Sequence, residues 1–214
     1  MRYFRLAHAG LVLESEKHSL FVDPGNLSSA EELQRAIAAS EPVAGIVITH
    51  EHADHWTSEH IEELRKAAPE APIFTTEATK EALHQAGINT NVLIVREGDR
   101  KQVGPFRHRR LRSMLHSSIP VVDNIGIHVN NEFAWGGDSL VRPPFRAKIL
   151  GVPIGSPWSN LSQVMDFVLA ARPKQAYLTH DGMLSKAGLG LYSKRVQACL
   201  DEYGGDLLTL PLKE

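Results

Sequence analysis

Short apolar bursts punctuated by turns fill the first fifty residues, and helical spacing takes over afterwards. Residues 3–6, 11–14 and 19–22 read as strands, followed by an Asp23-Pro24-Gly25 turn. A helix is expected over 29–39, where serines precede it and Glu31 and Glu32 fall in its first turn. Residues 45–48 form a short β-branched apolar run, the pattern of a buried strand. Helix 57–68, with Ile61 and Leu64 on one face, strand 73–75, a helix to about 86 stopped by Gly87, and strand 92–95 continue the alternation. From 102 to 135 the pattern is strand after strand, through 106–112, 126–129 and 132–135. The tail predicts a strand over 147–151, a helix over 161–171, a strand over 175–179, a helix over 192–203 and a last strand over 207–212. Strand-rich segments separated and followed by helices predict an α/β architecture of packed sheets covered outside by helices.

Composition changes this picture little. The chain has 214 residues, 43% hydrophobic and 22% charged, with no repeat or linker, so one domain over 1–214 is expected. A formal net charge of −2 gives no global argument for nucleic acid or an anionic membrane, and no segment reads as a membrane span or export signal. A small-molecule partner and a cytoplasmic location follow as expectations. The lone Cys199 excludes an internal disulfide and reads as a small core residue. The single basic concentration, Arg107 to Arg112, reads as a charged, solvated strand edge ahead of a phosphate-binding patch.

Candidate chemistry concentrates elsewhere. Thr49 to Trp56 reads T-H-E-H-A-D-H-W, which crowds His50, His52, Asp54 and His55 into six residues at the end of an expected strand. Neutral imidazoles converging from rigid backbone, with a carboxylate among them, suit a transition metal. Asp54 and His55 are adjacent and would diverge, which suits two metal positions better than one. His116, Asp138 and His180 each follow an apolar strand-like segment downstream, as His50 does. Asp138 comes after two glycines that permit close backbone approach.

The chain resembles the metallo-β-lactamase superfamily, and within it the small metal-dependent hydrolases related to ascorbate phosphate lactonase. The landmarks are H-A-G-L-V-L-E, F-V-D-P-G, T-H-E-H-A-D-H, His116, W-G-G-D-S and L-T-H-D-G, in that order from His8 onward. The resemblance implies a four-layer αβ/βα sandwich. It implies His50, His52 and His116 on one metal, Asp54, His55 and His180 on a second, and Asp138 bridging both. Asp54 and Asp138 then act as catalytic carboxylates, holding two cations roughly 3.5–4 Å apart that share and deprotonate a water. Zinc is the first choice for this nitrogen-rich set, with manganese or iron as alternatives. Asp23 is expected beside the site, orienting a ligand histidine. His8 is placed at its margin, with substrate contact and a structural role both open.

Asp181 is expected to be a loop carboxylate. His18, His60, His84, His108 and His128 are expected to be surface or satisfied histidines, with His60 on a helix surface. Trp56, Trp158 and the Pro-rich segment 141–157 fit either a pocket wall or ordinary packing. The resemblance also narrows function. The 34 residues after His180 are expected to leave little room for the glutathione-binding helical region of thioesterases, and no stretch here is expected to hold the arms of nucleic-acid-processing members. His52 stands where flavin-partnered di-iron proteins usually carry glutamate. What remains is a hydrolase of a small ester, lactone, amide or phosphodiester. A non-catalytic metal-binding module and a di-iron redox protein are the competing classes.

Overall fold

The computed structural model describes residues 1–111 and 122–214. The first sheet has strands β1 (Arg2–Arg5), β2 (Leu11–Ser15), β3 (His18–Val22), β4 (Val43–Val47), β5 (Ile73–Thr75) and β6 (Val92–Ile94), side by side in that order. β1 to β3 form an antiparallel meander and β3 to β6 run parallel. The second sheet holds β7 (Arg100–Val103), β8 (Phe106–Leu111), β9 (Gly126–Val129), β10 (Phe133–Trp135), β11 (Ile149–Pro153), β12 (Gln175–Thr179) and β13 (Asp206–Leu208). Its order is consecutive, antiparallel from β7 to β10 and parallel from β10 to β13.

Helices α1 (Ala30–Ala38), α2 (Ser58–Ala67) and α3 (Glu77–Gln85) follow β3, β4 and β5 in the chain, and α4 (Leu161–Ala171) and α5 (Lys186–Asp201) flank β12. Strand alternation sorts side chains into three apolar layers. Leu11, Leu13, Leu20 and Val22 point between the sheets and meet Phe106, Val129, Phe133 and Trp135. Val12, Phe21, Ile46 and Ile73 point outward onto Leu33, Ile61, Leu64 and Leu83 of the first three helices. Leu150, Val152 and Ala176 point the other way, onto Val164, Val168 and Val196 of α4 and α5. Both faces of the central strands are therefore buried, which is why they read as continuous apolar runs. This is the αβ/βα sandwich anticipated from the sequence. Among the described residues, no helix is long and apolar enough to cross a membrane.

Most element boundaries fall within two residues of expectation, although the last strand, expected over 207–212, ends at Leu208, ahead of Pro211, which cannot donate to a ladder. α5 starts six residues early, capped by Ser185, because Gly188 and Gly190 weaken the helical signal of its first turns. β7 was not separated within the strand-rich region, since Arg-Lys-Gln-Val carries almost no apolar pattern. The basic run is not at the sheet edge: β8 is paired on both sides, and β7 forms the edge. Arg107 and Arg109 stand exposed on the outer face, whereas His108 turns inward against Phe74 at 4.4 Å between ring centroids.

His108 is therefore no surface histidine; it is 3% exposed and its Nε2 has no hydrogen-bond partner among the described residues. Burial, with Lys101 adding to it, pushes its pKa down to about 4. The unfolded chain takes up this proton near pH 6.5 and the folded chain near 4, so this group withdraws stability as pH falls between those values. His108→Phe should flatten that loss, by a difference on the order of 3 kcal/mol at most. Urea midpoints of both proteins at pH 7 and pH 4.5 measure it. Equal losses would assign the acid sensitivity to other groups.

Candidate metal centre

The site assembles where parallel strands end, the usual place for chemistry in such sheets. Asp23 follows β3, the His50–His55 loop follows β4, Asp138 follows β10 and His180 follows β12. Two groups of side chains converge there: Asp54, His55, Asp138 and His180, and His50, His52 and Asp138. Within each, the candidate ligand atoms lie within 4.8 Å of one another. Asp138 belongs to both. Six of the seven expected ligands thus meet in one place, and the seventh, His116, lies outside the described residues.

Asp23 organises the loop. It is fully buried, and its Oδ1 accepts the Thr49 backbone N–H at 2.7 Å. Its Oδ2 accepts the Thr49 hydroxyl and the Trp135 indole N–H, both at 2.9 Å, and lies 3.1 Å from His55 Nδ1. Because Nδ1 faces this carboxylate, His55 turns Nε2 toward Asp138 Oδ1 at 3.2 Å. Ser156 occupies Nδ1 of His180 in the same way, at 3.1 Å, leaving Nε2 turned to Asp138 and Asp54. The Thr49 hydroxyl gives its hydrogen to Asp23 and so accepts from His50 Nδ1 at 3.1 Å, leaving His50 Nε2 as an acceptor that faces His52 Nδ1 at 3.1 Å.

His55 Nε2, His180 Nε2 and Asp138 Oδ1 are buried, yet none makes a well-aligned hydrogen bond among the described residues. They converge on shared space with ligand atoms within 4.8 Å of one another. This donor chemistry fits cations.

Electrostatics agree. Burial opposes the Asp138 charge, but the His55 and His180 imidazoles outweigh it and hold this carboxyl well below the usual range. Burial likewise opposes charge on Asp54, where contacts with His180 and His8 prevail in the same direction. Conversely, burial disfavours protonated His180, yet Asp138 and Asp54 raise it to about 9. His55 is raised as well, against its burial, by the charges of Asp138 and Asp23. His50 is pushed down to about 2 by burial and then by His55. The carboxylates thus demand positive charge at this point.

His8 is buried, and Gly182 N–H donates to its Nδ1 at 3.0 Å, so Nε2 carries the hydrogen and donates to Asp54 Oδ2 at 3.1 Å. Burial lowers its pKa, which keeps it neutral for this task. Asp181 does more than expected: it holds Arg5 through two contacts of 2.8 and 2.9 Å, tying the loop after β12 to β1. Trp158, left open by the sequence, donates its indole N–H to Asp138 Oδ2 at 3.2 Å. Trp56 braces the motif loop through the Glu51 carbonyl at 3.1 Å. An indole 20 residues after a carboxylate leaves no periodic signal, so its role is visible only in space.

His60 corrects another expectation. It is 6% exposed, and its Nδ1 donates to the Pro24 carbonyl at 3.0 Å, so it fastens the turn that carries Asp23. That turn also presses on the motif loop. Asn26 N–H donates to the Ala53 carbonyl at 2.9 Å, and a Cβ on Gly25 would fall 1.9 Å from the Asp54 carbonyl oxygen. Only glycine permits such an approach.

Residues 18–180 match the family model described as the beta-lactamase superfamily domain. The chain belongs to this superfamily. Its two-sheet architecture is the metallo-β-lactamase fold. Protein Rv0786c of Mycobacterium tuberculosis is 25% identical over 204 residues, spanning 92% of this chain and 91% of its own. Among solved structures, Igni18, a metallo hydrolase from the archaeon Ignicoccus hospitalis, superposes with a TM-score of 0.74 at 15% identity, over 99% of this chain and 95% of that one. CmlA, a diiron β-hydroxylase from Streptomyces venezuelae, does so with a TM-score of 0.71 at 16% identity, over 97% of this chain and 52% of its own. At these identities the structural likeness extends to the fold. A hydrolase and a hydroxylase on one scaffold require that the reaction be argued from the site.

Gly25→Ala should push the motif loop away and lower bound metal, while leaving far-ultraviolet circular dichroism unchanged. His60→Leu should cost about 1–3 kcal/mol, because the Pro24 carbonyl loses a buried donor. Metal analysis and urea denaturation test both; wild-type metal content in Gly25→Ala would mean that the close approach is unimportant.

Proposed function

We propose that this chain is a metal-dependent hydrolase with a dinuclear centre. His50, His52 and His116 would hold one cation, Asp54, His55 and His180 would hold the other, and Asp138 would contribute to both. The observation that carries this reading is the sharing of Asp138 by two groups of ligand atoms, each complete enough to hold an ion. Zinc suits the histidine-rich set best, with manganese or iron as alternatives. Bound there, the cations supply Lewis acidity and lower the pKa of water toward neutrality.

The chain's own residues do the rest. Asp54 and Asp138 are the catalytic carboxylates, their charges held in place by His8 and Trp158 respectively. His52 is exposed and Asp54 is 27% exposed, while the remaining described ligands are buried. Substrate therefore approaches over His52 and Asp54, with the buried imidazoles behind. The substrate class we favour is a small ester, lactone, amide or phosphodiester, in keeping with the sequence likeness to ascorbate phosphate lactonase. The second reading is di-iron redox chemistry, which shares this fold in CmlA. His52 supports hydrolysis, because a second imidazole in place of a carboxylate favours zinc over a carboxylate-rich iron pair.

Elemental analysis of protein purified without chelator should find two divalent ions per chain. Turnover of bis(p-nitrophenyl) phosphate should disappear on chelation and return with zinc or manganese. At most one ion after metal incubation would defeat the dinuclear centre; two irons, colour and no hydrolysis would favour the redox reading. Asp138→Ala should lose metal and fall to the chelated background, whereas His84→Ala on α3 should keep both. Metal uptake should also release protons below about pH 9, since His180 keeps its proton up to about that pH when no cation competes. A pH-indicator titration with zinc at pH 8 measures this release.

A further inference from the structure

The outer face of the second sheet is covered unevenly. α4 and α5 pack over β11, β12 and β13, whereas the outer face of β7, β8 and β9 carries side chains of another kind. Register brings Arg100 opposite Arg109, and Arg109 opposite His128. Gln102 lies opposite Arg107 on the same face. Like charges directly opposite each other destabilise a sheet. With Lys101 and Arg146, these side chains line a cavity of about 730 Å³ that has no carboxylate in its wall.

Among the described residues, Arg100, Arg107 and Arg109 form no ion pair, although the whole chain is net negative. Lys101 reaches only Asp99, at 3.9 Å. Arg146 gives its Nε–H to the Arg172 carbonyl and sets its guanidinium 6.0 Å from the centre of the Tyr203 ring. One wall is flat: the His128 ring stacks on Phe145 with centroids 4.1 Å apart and planes 20° apart. His128 Nε2 is buried there without a hydrogen-bond partner among the described residues. None of these residues belongs to the metal centre.

We infer that this cavity is a second binding site, for a phosphate-rich anion of nucleotide size. The volume falls in the range of small-molecule sites, and guanidinium forks match phosphate oxygens two at a time. An anion between Arg100, Arg107 and Arg109 turns cross-strand repulsion into attraction. The Asn131 side chain offers a polar contact, and the aromatic wall offers a plane for a base. A nucleic-acid strand is less favoured in a chain of net charge −2.

The test is isothermal titration of the metal-loaded protein with ATP and, separately, with inorganic tripolyphosphate. Saturable binding that weakens with added salt is expected for at least one probe. The double variant Arg107→Ser, Arg109→Ser should weaken it about ten-fold or more while keeping wild-type metal content and melting temperature. Arg100→Ser offers a milder change, expected to weaken binding in the same direction should the double variant misfold. Three results would overturn the inference: no saturable binding of either probe, binding that survives these substitutions but vanishes on chelation, or binding only to a single-stranded 20-mer with affinity rising with length. The second would assign the phosphate to the metal centre, and the third would make this face a nucleic-acid surface.

Discussion

A carboxylate sealed from water must be neutralised by hydrogen bonds or opposite charge, and Asp23 meets that demand by binding the rest of the site together. Its partners come from both sheets. Thr49 and His55 belong to the loop after β4, whereas Trp135 closes β10 of the opposite sheet. One buried side chain thus sets the orientation of His55, the entry of the His-rich loop and the spacing of the sheets at this end. Its neighbours complete the lock: Gly25 lets the turn touch the backbone of Asp54, and His60 pins Pro24 from α2. Asp23 and His180 adopt left-handed backbone, with φ of 48° and 62°. Such conformations persist at functional sites because the surroundings over-determine them.

The polar cluster is a charge problem before it is a catalytic device. Asp54 and Asp138 are drawn together where burial would otherwise neutralise them, and His55 and His180 answer with raised pKa values. Divalent cations solve the same problem with ligand bonds added, at the cost of expelling those protons. The outlying carboxylate Asp181 takes the other solution, a bidentate pair with Arg5, and so stays out of the centre.

Most of the fold was legible because its signals are local. β3, β4, β10 and β12 are apolar runs that end at a polar residue, and caps such as Ser29 with Glu32 mark helix starts by hydrogen bonds a few residues long. His50, Asp138 and His180 were legible as candidates for the same reason, each being the first polar side chain with metal-binding chemistry after a strand, with His52, Asp54 and His55 following His50 in one loop. His60, Trp158 and the inward turn of His108 were not. Each depends on a partner from another element: Pro24, Asp138 and Phe74. Likewise Arg107 and Arg109 looked like edge residues because pairing on both sides of β8 comes from strands before and after it.

By itself, then, the sequence determined the residue chemistry, the order of elements and the superfamily, since those depend on residue type and short spacing. Tertiary structure alone decided which imidazole nitrogen faces the centre and that His8 serves Asp54. It also decided that Asp138 is shared and that five cations surround one cavity. The physical reason is that tautomer, burial and charge coupling are set by atoms within a few ångströms, and here those atoms come from strands far apart in the chain.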